Sequence, residues 1–159
     1  MISLFRTSLL VVFALYWGGL TFYTGFVVRI SHRVLADPMD GGLITQRVTE
    51  VLQWLCLIAV LMMLGNALVV LRKSRRLGGA LIGCSGLVAI ALVGLFIVHG
   101  HMDSVIDSRA VEILDRDTFD TGHRRYNQLT TVQWIASLAY LPTTIVAWRR
   151  LDADRSGSN

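Results

Sequence analysis

Four histidines are the side chains in this chain best suited to chemistry, and each lies just beyond a long apolar run. Neutral imidazoles combined with a carboxylate are ligands that Zn²⁺ and Cu²⁺ accept. The candidate metal ligands are His32, His101, His123 and Glu50, with His99 and Asp103 as further ligands. The alternative is that these histidines hydrogen-bond to lipid headgroups, water and nearby acids. Haem is less favoured, because no histidine lies in the middle of a run.

The apolar runs that must position these histidines are long enough to cross a membrane. The chain has 159 residues, 53% of them hydrophobic and 16% charged, whereas an ordinary soluble domain carries about 25% charged residues. Its mean hydropathy is +0.56. Four runs, at 8–28, 51–71, 77–98 and 129–148, each have the roughly 20 residues that span ~30 Å of hydrocarbon as helix. The sequence predicts an all-α integral membrane four-helix bundle.

We expect a single transmembrane domain over residues 1–151, followed by a disordered tail over 152–159. The predicted spans are residues 6–30, 48–72, 77–99 and 127–149. Simple alternation then places both chain termini on one side of the membrane and all four histidines on the other side.

The distribution of Lys and Arg predicts which side is cytoplasmic. Eight of the 15 basic residues lie on the side of the termini and seven on the histidine side. Four of the eight, Arg72, Lys73, Arg75 and Arg76, crowd the short link between spans two and three, and short loops carry the most weight in the positive-inside rule. We expect cytoplasmic termini, an outer (periplasmic) histidine side, and a multi-pass protein of the cell inner (plasma) membrane.

The two outer connections differ in their expected structure. Asp37-Pro38 and Gly41-Gly42 predict a break in the first connection, with helix resuming at Thr45. In the second, apolar residues recur among charges over 105–114, which predicts a short amphipathic helix at the membrane surface. The alternative for that segment is a solvated loop.

Small and polar residues mark the packed faces of helices in lipid, so they predict which side chains point inward. On the first span the predicted stripe is Gly18, Phe22, Gly25, Arg29 and His32. On the third span it is Gly79, Gly83, Gly86, Ile90, Gly94 and Ile97. On the fourth span it is His123, Asn127, Thr130, Trp134 and Ser137. Extending the third stripe reaches His101 and leaves His99 facing elsewhere, so His32, His101 and His123 are expected to converge near Glu50.

Several functions are not favoured by the sequence. No ionisable residue lies at mid-depth in a span, which gives no sign of an ion pathway. Asn66, Gln53 and Gln133 are expected to hydrogen-bond between helices. No catalytic constellation stands out, so the protein is predicted not to be an enzyme. The basic residues lie near helix ends rather than in a pattern for nucleic acid. The expected partners are membrane lipid, further copies of the chain or a larger membrane complex.

Two short motifs resemble known membrane proteins. Trp17-Gly18-Gly19 followed by Phe22, and His123-Arg124 before the fourth span, resemble the small four-span proteins of the transmembrane-protein-205-like group. That likeness covers the topology of the whole chain and implies no established reaction. The tryptophan-glycine pattern of the first helix also resembles copper-resistance D-type membrane proteins, which implies copper as a ligand.

These observations lead to a functional hypothesis with two alternatives. The hypothesis is a polytopic membrane protein that binds a transition metal at a histidine-rich outer mouth. The alternatives are an accessory subunit of a larger membrane complex and a small transporter that acts as an oligomer.

Overall fold

Helices form nearly all of the chain, which confirms the all-α fold class. The computed structural model describes residues 2–35, 38–104, 106–107 and 112–156, without the side chains of residues 2, 32, 38–40, 43, 106–107 and 112–113. The elements are α1 (Ile2–Phe22), a π-helical turn (Tyr23–Val27), α2 (Val28–Val34), α3 (Pro38–Leu71), α4 (Arg75–Ser104), β1 (Ile106–Asp107), β2 (Glu112–Ile113) and α5 (Arg116–Ser156). The first three run on continuously, and we call Ile2–Val34 the first rod.

Within the described residues, three helical segments are long and apolar enough to cross a membrane: Ser3–Ser31, Ile44–Leu71 and Arg75–Ser104. Only 22–39% of their most apolar stretches is buried within the protein. Large apolar side chains such as Leu61 and Ile90 are 62% and 70% exposed. So much exposed apolar surface is unfavourable in water, whereas contact with lipid covers it. The chain is therefore a membrane protein.

The helices pack through stripes of side chains spaced alternately three and four residues apart, the spacing of side-by-side helices in a bundle. On α4 the residues of this stripe, all buried, are Gly78, Leu81, Ser85, Val88, Leu92 and Leu95. On the first rod they are Leu9, Phe13, Tyr16, Leu20 and Tyr23. On α3 they are Thr49, Gln53, Cys56, Val60, Met63, Ala67 and Val70. On α5 they are Gln133, Ser137, Tyr140, Thr144 and Ala147.

Most of the glycine stripes predicted to be packed on the first and third spans were therefore wrong, although Gly94 does pack against α5, where a Cβ would lie 2.9 Å from the Leu129 side chain. Gly79 and Gly83 are exposed, and a Cβ on either glycine would meet no atom within 4 Å. Phe22 is 61% exposed and Ile90 is 70% exposed. Large side chains such as Phe13, Tyr16 and Leu81 fill much of the space between these helices, and Gly79 and Gly83 are left on the outer surface. On α5 the inward face was predicted well, since Ser137 is buried and Trp134 packs against the first rod.

The end of the bundle that holds both chain ends, which we call the terminal end, is closed by a polar network. Arg6 of α1 donates two hydrogen bonds to the Asp152 carboxylate, at 2.6 and 3.0 Å. The Arg6 guanidinium also lies 5.0 Å from the centre of the Trp148 ring. Trp148 in turn donates to Asn66, and Asn66 donates to the Tyr140 hydroxyl. These bonds join α1, α3 and α5, and they confirm that Asn66 hydrogen-bonds between helices.

A tryptophan pair joins the first rod to α5 near the middle of the bundle. The rings of Trp17 and Trp134 stack with their centroids 5.6 Å apart. The Trp17 indole N–H donates to the Trp134 carbonyl, and the Trp134 indole N–H donates to the Thr21 hydroxyl. Beyond this pair, toward the end that holds the histidines and that we call the histidine end, the first rod and α5 enclose open space.

Three predicted boundaries differ from the structure. Helix α3 begins at Pro38 and runs through Gly41 and Gly42, because proline at the first position of a helix loses no hydrogen bond. Helix α5 continues to Ser156, because Arg6 anchors Asp152. The disorder predicted for the tail is thus wrong over residues 152–156. Residues 157–159 lie outside the described residues. In place of the predicted amphipathic helix, Ile106 pairs with Ile113 and Asp107 with Glu112 in an antiparallel ladder, while 105 and 108–111 lie outside the described residues.

The tight packing of the α3–α4 turn predicts opposite effects at two adjacent glycines. A Cβ on Gly78 would lie 2.2 Å from the Leu71 Cα atom, whereas a Cβ on Gly79 would meet nothing within 4 Å. We expect Gly78→Ala to lower the free energy of unfolding by about 1–3 kcal/mol through overpacking. Gly79→Ala should leave it unchanged or raise it by up to ~1 kcal/mol, because alanine favours helix. Denaturation by dodecyl sulfate, followed by circular dichroism, measures both, and equal effects would contradict this packing.

The ion pair at the terminal end predicts a pH-dependent stability. The hydrogen bonds from Arg6 lower the pKa of the Asp152 carboxyl. Because the pKa is lower in the folded state, the pair stabilises the fold above the ordinary carboxyl range and is lost as the pH falls through the folded pKa. We expect Asp152→Asn to lower the melting temperature at pH 7, with a difference from wild type that shrinks toward pH ~3. Asp154→Asn is the control, and a constant difference across pH would contradict the prediction.

Candidate ligand-binding cavity at the histidine end

The N-terminus of α5 is held by a carboxylate cap, which sets where the following side chains point. Asp115 accepts hydrogen bonds from the backbone N–H of Thr118 at 3.1 Å and from its hydroxyl at 2.6 Å. These bonds, led by the one from the hydroxyl, lower the pKa of Asp115. Acidic residues are preferred at this position because they satisfy free N–H groups. With the helix start fixed, Phe119 and His123 stack one turn apart.

The first rod changes its helical register where it borders the same region. Residues Tyr23–Val27 form a π-helical turn, a feature that often marks functional sites. The hydroxyls of Thr21 and Thr24 donate to carbonyl oxygens four residues earlier. The turn shifts the following residues around the axis, so Arg29, predicted to face inward, is exposed.

A cavity of about 510 Å³ opens between these elements at the histidine end. The first rod, α3, α4 and α5 all contribute to its walls, with side chains that include Leu20, Leu52, Leu95, Phe119 and Tyr126. From Asp120 to Gln133 it follows α5 for roughly 20 Å, at 1.5 Å per residue. Asp120 and His123 are exposed and Gln133 is buried, so the cavity runs from an accessible mouth to a buried floor.

The floor of the cavity carries neutral polar side chains with unused hydrogen-bonding atoms. Gln53 donates to the Tyr126 hydroxyl at 3.4 Å, and Gln133 donates to the Cys56 thiol at 3.3 Å, which confirms that both amides hydrogen-bond between helices. The hydroxyl of Tyr16, a residue only 1% exposed, has no hydrogen-bond partner within the described structure, although Cys56 and Ser137 lie beside it.

At the mouth, an imidazole and a carboxylate lie one helical turn apart on α4. The Nε2 atom of His99 lies 3.5 Å from one oxygen of Asp103. The other oxygen accepts a hydrogen bond of 2.6 Å from the Gln46 side chain of α3. The His99 ring also lies against Tyr126, with 6.4 Å between ring centroids. Helices α3, α4 and α5 are therefore joined at the mouth by side-chain contacts.

The predicted histidine convergence is only partly correct. His123 lines the cavity as expected, but His99 lines it as well and His101 does not. The reason is the true stripe of α4: positions 92, 95 and 99 share one face, so His101 turns away. His101 borders a separate recess of about 280 Å³ together with Asp117 and Arg125. The inward orientation of His101 and the outward orientation of His99 were both wrong.

Of the two remaining predicted metal ligands, only Glu50 has a side chain that the structure describes. Glu50 is absent from the lining of the cavity, and its carboxylate lies 3.5 Å from Arg47 of the same helix. The side chain of His32 lies outside the described residues. Among the side chains that are described, no group of three or more His, Cys, Asp or Glu residues is placed to hold a metal ion. A metal centre that includes His32 stays a prediction.

The sequence interpretation missed the tyrosines and hydroxyls that form much of the lining. Thr45, Thr49 and Gln53 repeat every four residues on α3 and run into the buried stripe at Cys56. Tyr16 and Tyr23 lie two turns apart on the first rod. Recurrence of hydroxyl and amide side chains on one face was the available signal. Glycine was used instead as the marker of the packed face, and on the first rod and α4 it indicated mainly the opposite, exposed face.

No protein-family model, curated protein or solved structure matches this chain. The function must therefore be argued from the cavity and from the helices around it.

Proposed function

We propose that this protein is a multi-pass integral protein of the cell inner membrane that binds a small amphipathic molecule in the histidine-end cavity. The observation that carries the proposal is the cavity itself, with largely apolar walls and a buried floor of neutral polar side chains. Ligand pockets usually enclose about 300–1,000 Å³ and combine apolar walls with a few polar groups. At about 510 Å³, this cavity has the size and the lining of such a pocket.

The unused polar atoms of the floor support a ligand that brings its own hydrogen-bonding group. A buried polar group without a partner costs about 1–3 kcal/mol. The Tyr16 and Thr130 hydroxyls are in that state within the described structure, and both residues line the cavity. A ligand with a hydroxyl, carbonyl or amide at its inner end would satisfy hydroxyls and amides of the floor, while its apolar part would contact Leu20, Leu52 and Leu95.

The surface of α5 supports a fourth membrane crossing. This helix is less apolar than the three segments described above, yet residues 129–148 carry no charge. Val132, Ile135, Leu138 and Ile145 are each more than 40% exposed, and a lipid environment would cover them. The Thr143 hydroxyl donates to the Ala139 carbonyl of its own helix, so this polar side chain is satisfied within the helix, as lipid requires.

The orientation follows from the basic link at the terminal end. Arg72, Lys73, Arg75 and Arg76 lie at the α3–α4 turn, at the same end as the Arg6–Asp152 pair. The positive-inside rule places such a link in the cytoplasm. The cavity then opens toward the periplasmic side, and its ligand enters from there or from the outer half of the bilayer.

The topology predicts which exposed positions a membrane-impermeant thiol reagent reaches in intact cells. In a variant with Cys56 and Cys84 replaced by alanine, Ser104→Cys should be labelled from outside. Lys73→Cys should be labelled only after lysis, because its turn lies in the cytoplasm. Labelling of Lys73→Cys in intact cells, with Ser104→Cys protected, would reverse the orientation.

Filling the cavity predicts a loss of ligand binding. Leu95 is 2% exposed and lines the cavity, whereas Leu87 of the same helix is 51% exposed. We expect the neutral probe triphenylphosphine oxide to bind the purified protein saturably in equilibrium dialysis. Leu95→Trp should weaken that binding roughly tenfold or more, equivalent to about 1.4 kcal/mol, because the indole occupies the space.

Leu87→Trp is the matched control, since it adds the same side chain on the lipid-facing side of α4. Circular dichroism and melting temperature establish that each variant is folded. Equal binding by wild type and by a folded Leu95→Trp variant would show that the probe does not occupy the cavity, and the proposed function would be wrong.

A further inference from the structure

The charge of the cavity lining differs from the charge of the chain. The protein carries 15 basic and 11 acidic residues, yet the described residues that line the cavity include Asp103 and Asp120 and neither Lys nor Arg. The described arginines near this end, which are Arg29, Arg33, Arg47, Arg116, Arg124 and Arg125, are exposed and do not line the cavity. Among the described residues of the lining, the other groups that titrate are His99, His123 and three tyrosines. With neutral imidazoles, these described residues carry two negative charges.

Neither carboxylate forms an ion pair with an arginine or lysine among the described residues. Asp103 is oriented by Gln46, an uncharged donor, and by His99 at 3.5 Å. The Asp120 side chain forms no hydrogen bond or ion pair with the described residues. A carboxylate oxygen can accept more than one hydrogen bond, so both side chains retain capacity for a positively charged donor.

The walls beside these carboxylates are aromatic. Phe119 and His123 stack with their ring centroids 6.3 Å apart, and Tyr23 and Tyr126 face the same space. The faces of aromatic rings attract cations, and pockets of aromatic rings are a recurrent way to bind substituted ammonium groups. The same rings contact the apolar body of a ligand.

We propose that the ligand of this cavity is an amphipathic cation, an inference that rests on the ligand site proposed above. Its charge lies near Asp103 and Asp120 at the mouth, and its apolar body lies along the aromatic walls. The inner end reaches the floor, where the buried Tyr16 hydroxyl lacks a partner among the described residues. An anion is disfavoured, because it would lose its hydration beside two carboxylates and gain no basic partner.

Three probes with nearly the same phenyl groups separate charge from shape. Tetraphenylphosphonium is a cation, tetraphenylborate is an anion of matching shape, and triphenylphosphine oxide is neutral. Equilibrium dialysis of the full-length protein in an uncharged detergent measures each one. Subtracting the binding measured with the Leu95→Trp variant from that of wild type corrects for probe that partitions into the detergent micelles. We expect the cation to bind at least about fivefold more tightly than the neutral probe, and the anion to show no difference between the two proteins.

Removing the charges at the mouth tests which carboxylates are responsible for the preference for a cation. Asp103→Asn and Asp120→Asn should each weaken binding of the phosphonium about three- to fivefold, the range of an exposed ion pair, and leave binding of the oxide unchanged. Asp117→Asn is the control, because Asp117 lies on the first turn of α5 but borders the separate recess. Raising the salt concentration should reduce the advantage of the cation.

The outcomes separate this inference from the proposed function. We call cavity-dependent the binding that wild type shows and a folded Leu95→Trp variant loses. If this binding is equal for the cation and the oxide and is unaffected by the two aspartate variants, the inference of a cationic ligand is wrong and the proposed binding cavity stands. Cavity-dependent binding of the borate would overturn the cationic ligand as well. If none of the three probes distinguishes wild type from a folded Leu95→Trp variant, both proposals fail.

Discussion

The packing of α4 against its neighbours decides where the side chains of the histidine end point. Its buried stripe, from Leu81 to Leu95, alternates spacings of three and four residues and contacts both α3 and α5. Extending that stripe by one turn brings His99 into the cavity and turns His101 toward the outer surface. Since α4 ends at Ser104, the direction of Asp103 follows from the same stripe. Any shift of α4 about its axis would change the composition of the mouth.

Polar side chains hold the terminal end of the bundle together. Asn66, Tyr140 and Trp148 hydrogen-bond to one another, and the Arg6–Asp152 pair covers them. Four buried hydroxyls have no partner among the described residues, and they belong to Tyr16, Thr130, Ser137 and Thr144. Two of these residues, Tyr16 and Thr130, line the cavity. Incomplete polar networks cost stability, and at the cavity a ligand can supply the missing hydrogen bonds.

The connection between the first rod and α5 explains why space opens between them. The Trp17–Trp134 pair and its hydrogen bonds hold the two together near mid-bundle. Beyond Thr21, the π-helical turn changes the register of the first rod, so its side chains no longer continue the same packed stripe. The tryptophan pair thus separates the packed part of the bundle from the part that encloses the cavity.

Length and hydropathy along the chain were enough to predict helices, a membrane environment and the location of the histidines beyond helix ends. These properties belong to each segment by itself, because a run of some 20 apolar residues must satisfy its backbone internally wherever it sits in lipid. The inward faces of the first and third helices were not determined in this way. Glycines and leucines both recur at helical spacing on α4, and which of the two stripes is buried depends on the volume that α3 and α5 present to it. The sequence by itself therefore placed histidines and acids at one end of the bundle. Only the packing of the first rod, α3, α4 and α5 decided which of them share the cavity. His99, Asp103, Asp120 and His123 line it, whereas His101 and Glu50 lie outside it.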